Sequence, residues 1–141
     1  MPRTRVLGLL GALAVLTVLT SDARAQRKPV KLVKEWQGSV ADEALAKDAP
    51  AFVADTKALE KLWTAWKIEG KPPTVDFKKE LVLISTTRGS RLQLSPSIDE
   101  KGNVTVLALG TRDLAPGFRY VIATVSREGV KAVNGQELLD K

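Results

Sequence analysis

The chain has 141 residues, 22 basic and 16 acidic side chains, a net charge of +6, no Cys and no His. That length suits one domain with a short appendage. The missing residue types exclude disulfide staples, Ser-His-Asp triads, Cys-His dyads, His-based zinc sites and His acid–base chemistry, so any catalysis falls to carboxylates, Lys, Tyr or a Ser–Lys pair.

In chain order, Arg3 and Arg5 precede an apolar run over residues 6–19, and Ala23-Arg24-Ala25 puts small residues at the positions a signal peptidase reads. Residues 1–25 are therefore expected to be a signal peptide, leaving one exported α+β domain over 26–141, periplasmic or extracellular. The apolar run is shorter than the ~20 residues that span a bilayer, which favours a removable leader over a retained anchor. No stable membrane span is expected once it is cleaved. No Cys follows the run, which excludes a lipoprotein. Removal takes Arg3, Arg5, Arg24 and Asp22, leaving 116 residues with 19 basic and 15 acidic side chains, a net +4. Arg27, Lys28, Lys31 and Lys34 cluster at the new N-terminus, but elsewhere the two signs are interspersed. This favours an ordinary soluble surface over a nucleic-acid partner.

Residues 30–38 suit a first strand, and 41–50 an irregular connection or one helical turn ended by Pro50. Ala51-Phe52-Val53 reads as a short strand. Leu59, Leu62, Trp63 and Trp66 then fall at i, i+3, i+4 and i+7, one stripe of an α-helix, with Lys57, Glu60, Lys61 and Lys67 off it. Asp55 or Thr56 can cap this helix, which should stop near Ile68, before Gly70-Lys71-Pro72-Pro73. The chain re-enters through Val75-Asp76-Phe77 into Leu81-Val82-Leu83-Ile84, an apolar run short enough to be a buried strand.

Thr87-Arg88-Gly89-Ser90 reads as a tight turn. In the next strand Leu92, Leu94 and Ile98 face inward, and Pro96 puts the strand at an edge or bends it. Residues 99–103 form a hairpin loop. The returning strand over 104–109 turns Val104, Val106 and Ala108 one way and Leu107 and Leu109 the other. Residues 110–117 make a longer polar loop, and 118–125 a strand with Val121, Ala123 and Val125 opposite Tyr120, Ile122 and Thr124. Asn134-Gly135 marks a small terminal hairpin or a loop. The fold expected is α+β: one main helix packed on one face of a mostly antiparallel, twisted sheet of five or six strands. Leu59, Leu62, Trp63, Trp66 and Phe77 are its expected core.

Leu62-Trp63, Pro72-Pro73, Val75-Asp76-Phe77, Lys78-Lys79-Glu80, the apolar strand from Leu81 to Ile84 and then Gly89 occur here in order. Together they resemble the C-terminal domain of the PrcB family, proteins associated with a bacterial surface protease complex. The resemblance covers roughly residues 52–125. It implies a non-catalytic accessory role, helping a protease complex to assemble or persist. The family often places a Gly-Tyr element on the strand after that Gly. Arg91-Leu92-Gln93 stands here instead, so a contact made by that tyrosine does not carry over.

Candidate polar sites are few. Asp76 is expected to close a turn through its own backbone, and Asp99, Glu100 and Asn103 to form a turn rather than a calcium site. No metal site and no cofactor are expected. Arg88, Arg91, Arg112 and Arg119 flank turns at the sheet, with Asp113 beside Arg112. Together with Trp36, the one tryptophan off the helical stripe, they are candidates for a partner-binding edge built from residues 86–91 and 110–117. The competing expectation is a solvated rim with local Arg–carboxylate pairs. The function expected is an exported, non-catalytic binding module for a protein partner. The alternative is a small carboxylate-based hydrolase of wall polymer or glycan, which needs two acidic groups roughly 5–10 Å apart.

Overall fold

The computed structural model describes residues 26–139; the signal peptide expected over residues 1–25 lies outside them. In chain order the strands are β1 (Lys28–Pro29), β2 (Lys34–Val40), β3 (Phe52–Val53), β4 (Glu80–Thr87), β5 (Leu92–Ile98), β6 (Asn103–Gly110), β7 (Phe118–Ser126), β8 (Ala132–Val133) and β9 (Gln136–Glu137). A 3-10 helix (Glu43–Asp48) follows β2, and the main helix α1 (Thr56–Ala65) follows β3. The class is α+β, and all strand pairs but β6–β8 are antiparallel.

The strands form two sheets rather than the single sheet expected, in the orders β2-β7-β4-β3 and β1-β5-β6-β8-β9. The reason lies in the central strands. Leu81, Val82, Leu83 and Ile84 of β4 are all buried, as are residues 121–125 of β7. A strand buried on both faces needs a cover on each side. Val82, Ile84, Phe118, Tyr120 and Ile122 pack with Leu59, Leu62, Trp63 and Trp66 of α1. Leu81, Leu83, Val121, Ala123 and Val125 pack on Leu92, Leu94, Val104 and Val133 of the second sheet. The result is three layers: helix, four-stranded sheet, five-stranded sheet.

The strand expected over 30–38 begins later, as β2 at Lys34, and is preceded by the short β1. Lys28 and Pro29 pair with Ile98 and Ser97 of the second sheet. Val30 and Leu32 then turn their side chains into the core between the sheets as the chain crosses to β2. Val33 N–H donates to Thr124 O (2.8 Å), and Lys34 N–H to Thr124 Oγ1 (3.1 Å), which satisfies the one polar residue in the buried core.

Asp55 is the helix cap, its Oδ1 accepting from Ala58 N at 2.7 Å. The helix ends at Ala65, three residues before the expected stop. Lys67 takes φ +52°; its N–H bonds Thr64 O (3.1 Å), and Ile68 N–H bonds Trp63 O (3.1 Å). This pair of bonds is the Schellman ending, with Lys where glycine is usual. Trp66 meets Phe118 edge-on at 5.2 Å and Tyr120 at 5.3 Å, locking the helix to β7. Phe77 packs, part-buried, against the same cluster.

Three turns follow the chemistry of their residues. Asp76 Oδ1 accepts from Lys78 N (3.1 Å). Asp99 Oδ1 accepts from Asn103 N and Lys101 N (both 2.9 Å), and the Asn103 backbone and side-chain amides, then the Lys101 amide, hold its carboxyl below the ordinary range. Asn134 and Gly135, both at positive φ, close the hairpin between β8 and β9, and Asn134 Oδ1 accepts from Val106 N (2.9 Å). That last bond uses the amide opposite Pro96, so Pro96–Val106 is a non-hydrogen-bonded pair and the proline costs the β5–β6 ladder no bond.

Candidate functional site

The turn over residues 88–91 and the loop over 111–117 are tied into one rim. Ala115 N–H donates to Arg88 O (2.9 Å), Thr111 N–H to Arg91 O (3.1 Å), and Arg91 N–H to Thr111 Oγ1 (3.1 Å). Asp113 Oδ1 accepts from Ser90 N (3.0 Å). The Ser90 side chain, the Thr111 side chain and the Ser90 backbone, in that order, hold the Asp113 carboxyl well below the ordinary carboxylate range. Gly89 is buried in the rim: a Cβ there would lie 2.2 Å from Thr111 O.

Beside this rim the two sheets part and leave an open groove of about 840 Å3. Gln37, Gly38 and Ser39 of β2, with Arg119 and Tyr120 of β7, form one wall. Residues 90–93 form the other, with Leu109, Gly110 and Thr111 at its end. Arg119 points into the space between the sheets, because its neighbours Val121, Ala123 and Val125 on the same face of β7 all pack there. One Arg119 Nη donates to Pro116 O, while its Nε is buried without a hydrogen-bond partner among the described residues. The lining side chains carry two guanidiniums, three hydroxyls, two side-chain amides and no carboxylate, while the Tyr120 ring turns to the helix side. Burial raises the Tyr120 phenol above its ordinary value, so it stays a neutral hydroxyl at physiological pH.

The expected site residues thus fall into three groups. Arg91 and Arg119 line the groove, and Asp113 braces its rim. The Arg88 side chain lies elsewhere, in an exposed ion pair with Glu43 (3.1 Å) beside a smaller groove of about 520 Å3. Arg88 thus has a local carboxylate partner. Arg112 is exposed on the loop and does not line the groove. Trp36 is part-buried against the helix-side core, one residue from the groove wall. Gln37, Ser39, Gln93 and Tyr120 escaped the sequence reading. They come from three strands, two of one sheet and one of the other, which the packing of the two sheets brings together.

A third groove, of about 940 Å3, holds Asp55, Asp76 and Glu137. Asp55 and Asp76 each spend one carboxylate oxygen on a backbone amide, as the helix cap and the turn closure described above. Among the described residues no cluster of three metal-ligating side chains occurs, and no helix is long and apolar enough to cross a membrane. Compared with known protein-family models, curated proteins and solved structures, the chain matches none.

Proposed function

We propose that the chain is an exported, non-catalytic binding module that docks a protein partner, a protease or envelope complex, through the arginine-lined groove and its rim. The observation that carries this is the composition of the groove: two guanidiniums and a ring of neutral hydrogen-bonding groups with no acidic group among them. Such a lining attracts and orients an anionic surface but offers no carboxylate for acid–base work. The PrcB-like motifs point the same way. The test is cross-linking of the tagged chain at native level in its own envelope. One partner should be recovered in fixed ratio and lost on Arg91→Ala with Arg119→Ala, with the melting temperature unchanged. Full recovery by that pair, with loss on Arg88→Ala and Arg112→Ala instead, would move the docking surface to the outer rim.

The hydrolase alternative draws on the acidic groove. Its aspartates serve a helix cap and a turn, and the displaced carboxyls elsewhere, Asp113 and Asp99, are displaced downward, opposite to what a general acid needs. Release of reducing ends from wall glycan by the chain, abolished in Asp76→Asn, would replace the binding proposal.

A further inference from the structure

The groove has one feature that ordinary side-chain pockets lack: at Leu92 and Gln93 it meets the unpaired edge of β5. β1 pairs with β5 at Ser97 and Ile98, and Val30 N–H adds one bond to Pro96 O (2.9 Å) before the chain crosses to the other sheet. In an antiparallel ladder the N–H and C=O of one residue point to the same side, and that side alternates along the strand. Pro96 O points away from β6, so the N–H and C=O of Leu94 and Leu92 do so too. Neither residue has a backbone partner on that side among the described residues. About 10 Å of edge therefore stays unpaired from Leu92 to Ser95, at roughly 3.3 Å per residue, room for about three residues of a guest strand. Exposed edges are usually blunted. Here the crossing segment and Pro96 close the lower end, while the upper end opens into the groove beside Arg91 and Arg119.

We infer that this edge of β5 takes an extended, acidic segment of a partner protein as an added strand, continuing the line that β1 begins. This rests on the binding-module proposal above and specifies its mode. The guest backbone bonds the free N–H and C=O groups of Leu92 and Leu94. Its side chains alternate. Those turned between the sheets meet Arg119, Gln37 and Ser39, and those turned outward meet Arg91 and Gln93. A carboxylate on the inward side meets the Arg119 guanidinium where it lines the groove. A carboxylate on the outward side pairs with Arg91. Charge complementarity selects an acidic guest over a basic one, and the open main-chain groups select a peptide over a glycan.

The probe is a ten-residue peptide of alternating Glu and Val, capped at both ends, added to the purified chain. Binding should slow amide hydrogen exchange at Leu92 and Leu94 at least tenfold. A Lys/Val peptide should leave it unchanged. Arg91→Glu with Arg119→Glu should weaken binding at least tenfold. Glu/Val peptides N-methylated at alternate residues, in either register, keep their charges but lose the donors of one edge, and one of the two should fail to bind. Equal binding by both methylated peptides would overturn strand addition, and equal binding by the Lys/Val peptide would overturn the acidic guest. Protection of the same amides that grows with protein concentration and no peptide would overturn it in favour of a second copy. If an envelope partner cross-links through Arg91 and Arg119 while Leu92 and Leu94 stay unprotected, the strand inference fails and the binding module stands. If no partner cross-links at all, the module proposal itself fails.

Discussion

The end of α1 gives a prediction with an unusual sign. Lys67 sits at φ +52° and is exposed, so it holds a left-handed conformation without packing that would compensate. That conformation costs an L-residue about 1–2 kcal/mol. Glycine removes the cost but adds about 0.5–1 kcal/mol of unfolded-chain entropy. Lys67→Gly should therefore stabilise the fold by about 0.5–1 kcal/mol. Both Schellman bonds, from Lys67 N–H and Ile68 N–H, are main-chain and survive the change. The control is Lys61→Gly. It is also an exposed lysine, but inside the helix, where glycine costs about 1 kcal/mol. Urea unfolding followed by tryptophan fluorescence reads both, since Trp63 and Trp66 lie in the core. The midpoints should move in opposite directions. If Lys67→Gly destabilises as much as Lys61→Gly, the helix does not end in the left-handed turn and the reasoning is wrong.

Trp66→Ala removes a side chain 5% exposed that holds two aromatic contacts on β7, and should cost about 3–5 kcal/mol; a melting temperature within two or three degrees of the parent would show that α1 does not seal the sheet. Gly117→Ala meets both a φ of +70° and a Val40 carbonyl oxygen 2.0 Å from the new Cβ, so a loss of about 2 kcal/mol or more is expected in the same urea assay. Asp113 has its folded-state pKa below the ordinary 3.8, so its stabilisation is complete above that value and is lost as pH falls through the folded-state pKa. Melting curves of the parent and Asp113→Asn should thus differ at pH 6–7, the gap shrinking progressively as pH falls below 3.8, and a gap that widens in acid would refute the bracing role.

The elements were legible because local chemistry dictates them. The stripe of Leu59, Leu62, Trp63 and Trp66 needs no tertiary information to read as a helix, nor does Asn134-Gly135 to read as a turn. The number of sheets was less visible. Four consecutive apolar residues in β4 say that both faces are covered, but not by what. The alternation in β5, with Leu92 and Leu94 in and Gln93 and Ser95 out, fits the edge of one sheet as well as half of a sandwich. What decides it is the crossing from Pro29 to Lys34, where Val30 and Leu32 leave one sheet and cover the core before the chain joins the other. No periodicity marks such a crossing, so strand and crossing merge into one apparent strand over 30–38.

The same crossing explains why half of the candidate site stayed hidden. Arginines beside turns are visible as charge near loops, and two of the four do share the groove. What makes a groove there is that β1 ends at Pro29, too early to cover β5 above Pro96, so the sheets stay open beside Arg119. Had β1 continued alongside β5, it would have paired Leu94 and Leu92 and filled the space into which Arg119 turns. Lengthening of β1 and occupation by a guest strand are then competing solutions to one unpaired edge. A chain with residues 30–33 replaced by a strand-forming segment that keeps pairing with β5 should lose peptide binding, and its Leu92 and Leu94 amides should be protected with no peptide present. Exchange at those two amides as fast as in the parent would mean that the edge is not continuous with the line of β1.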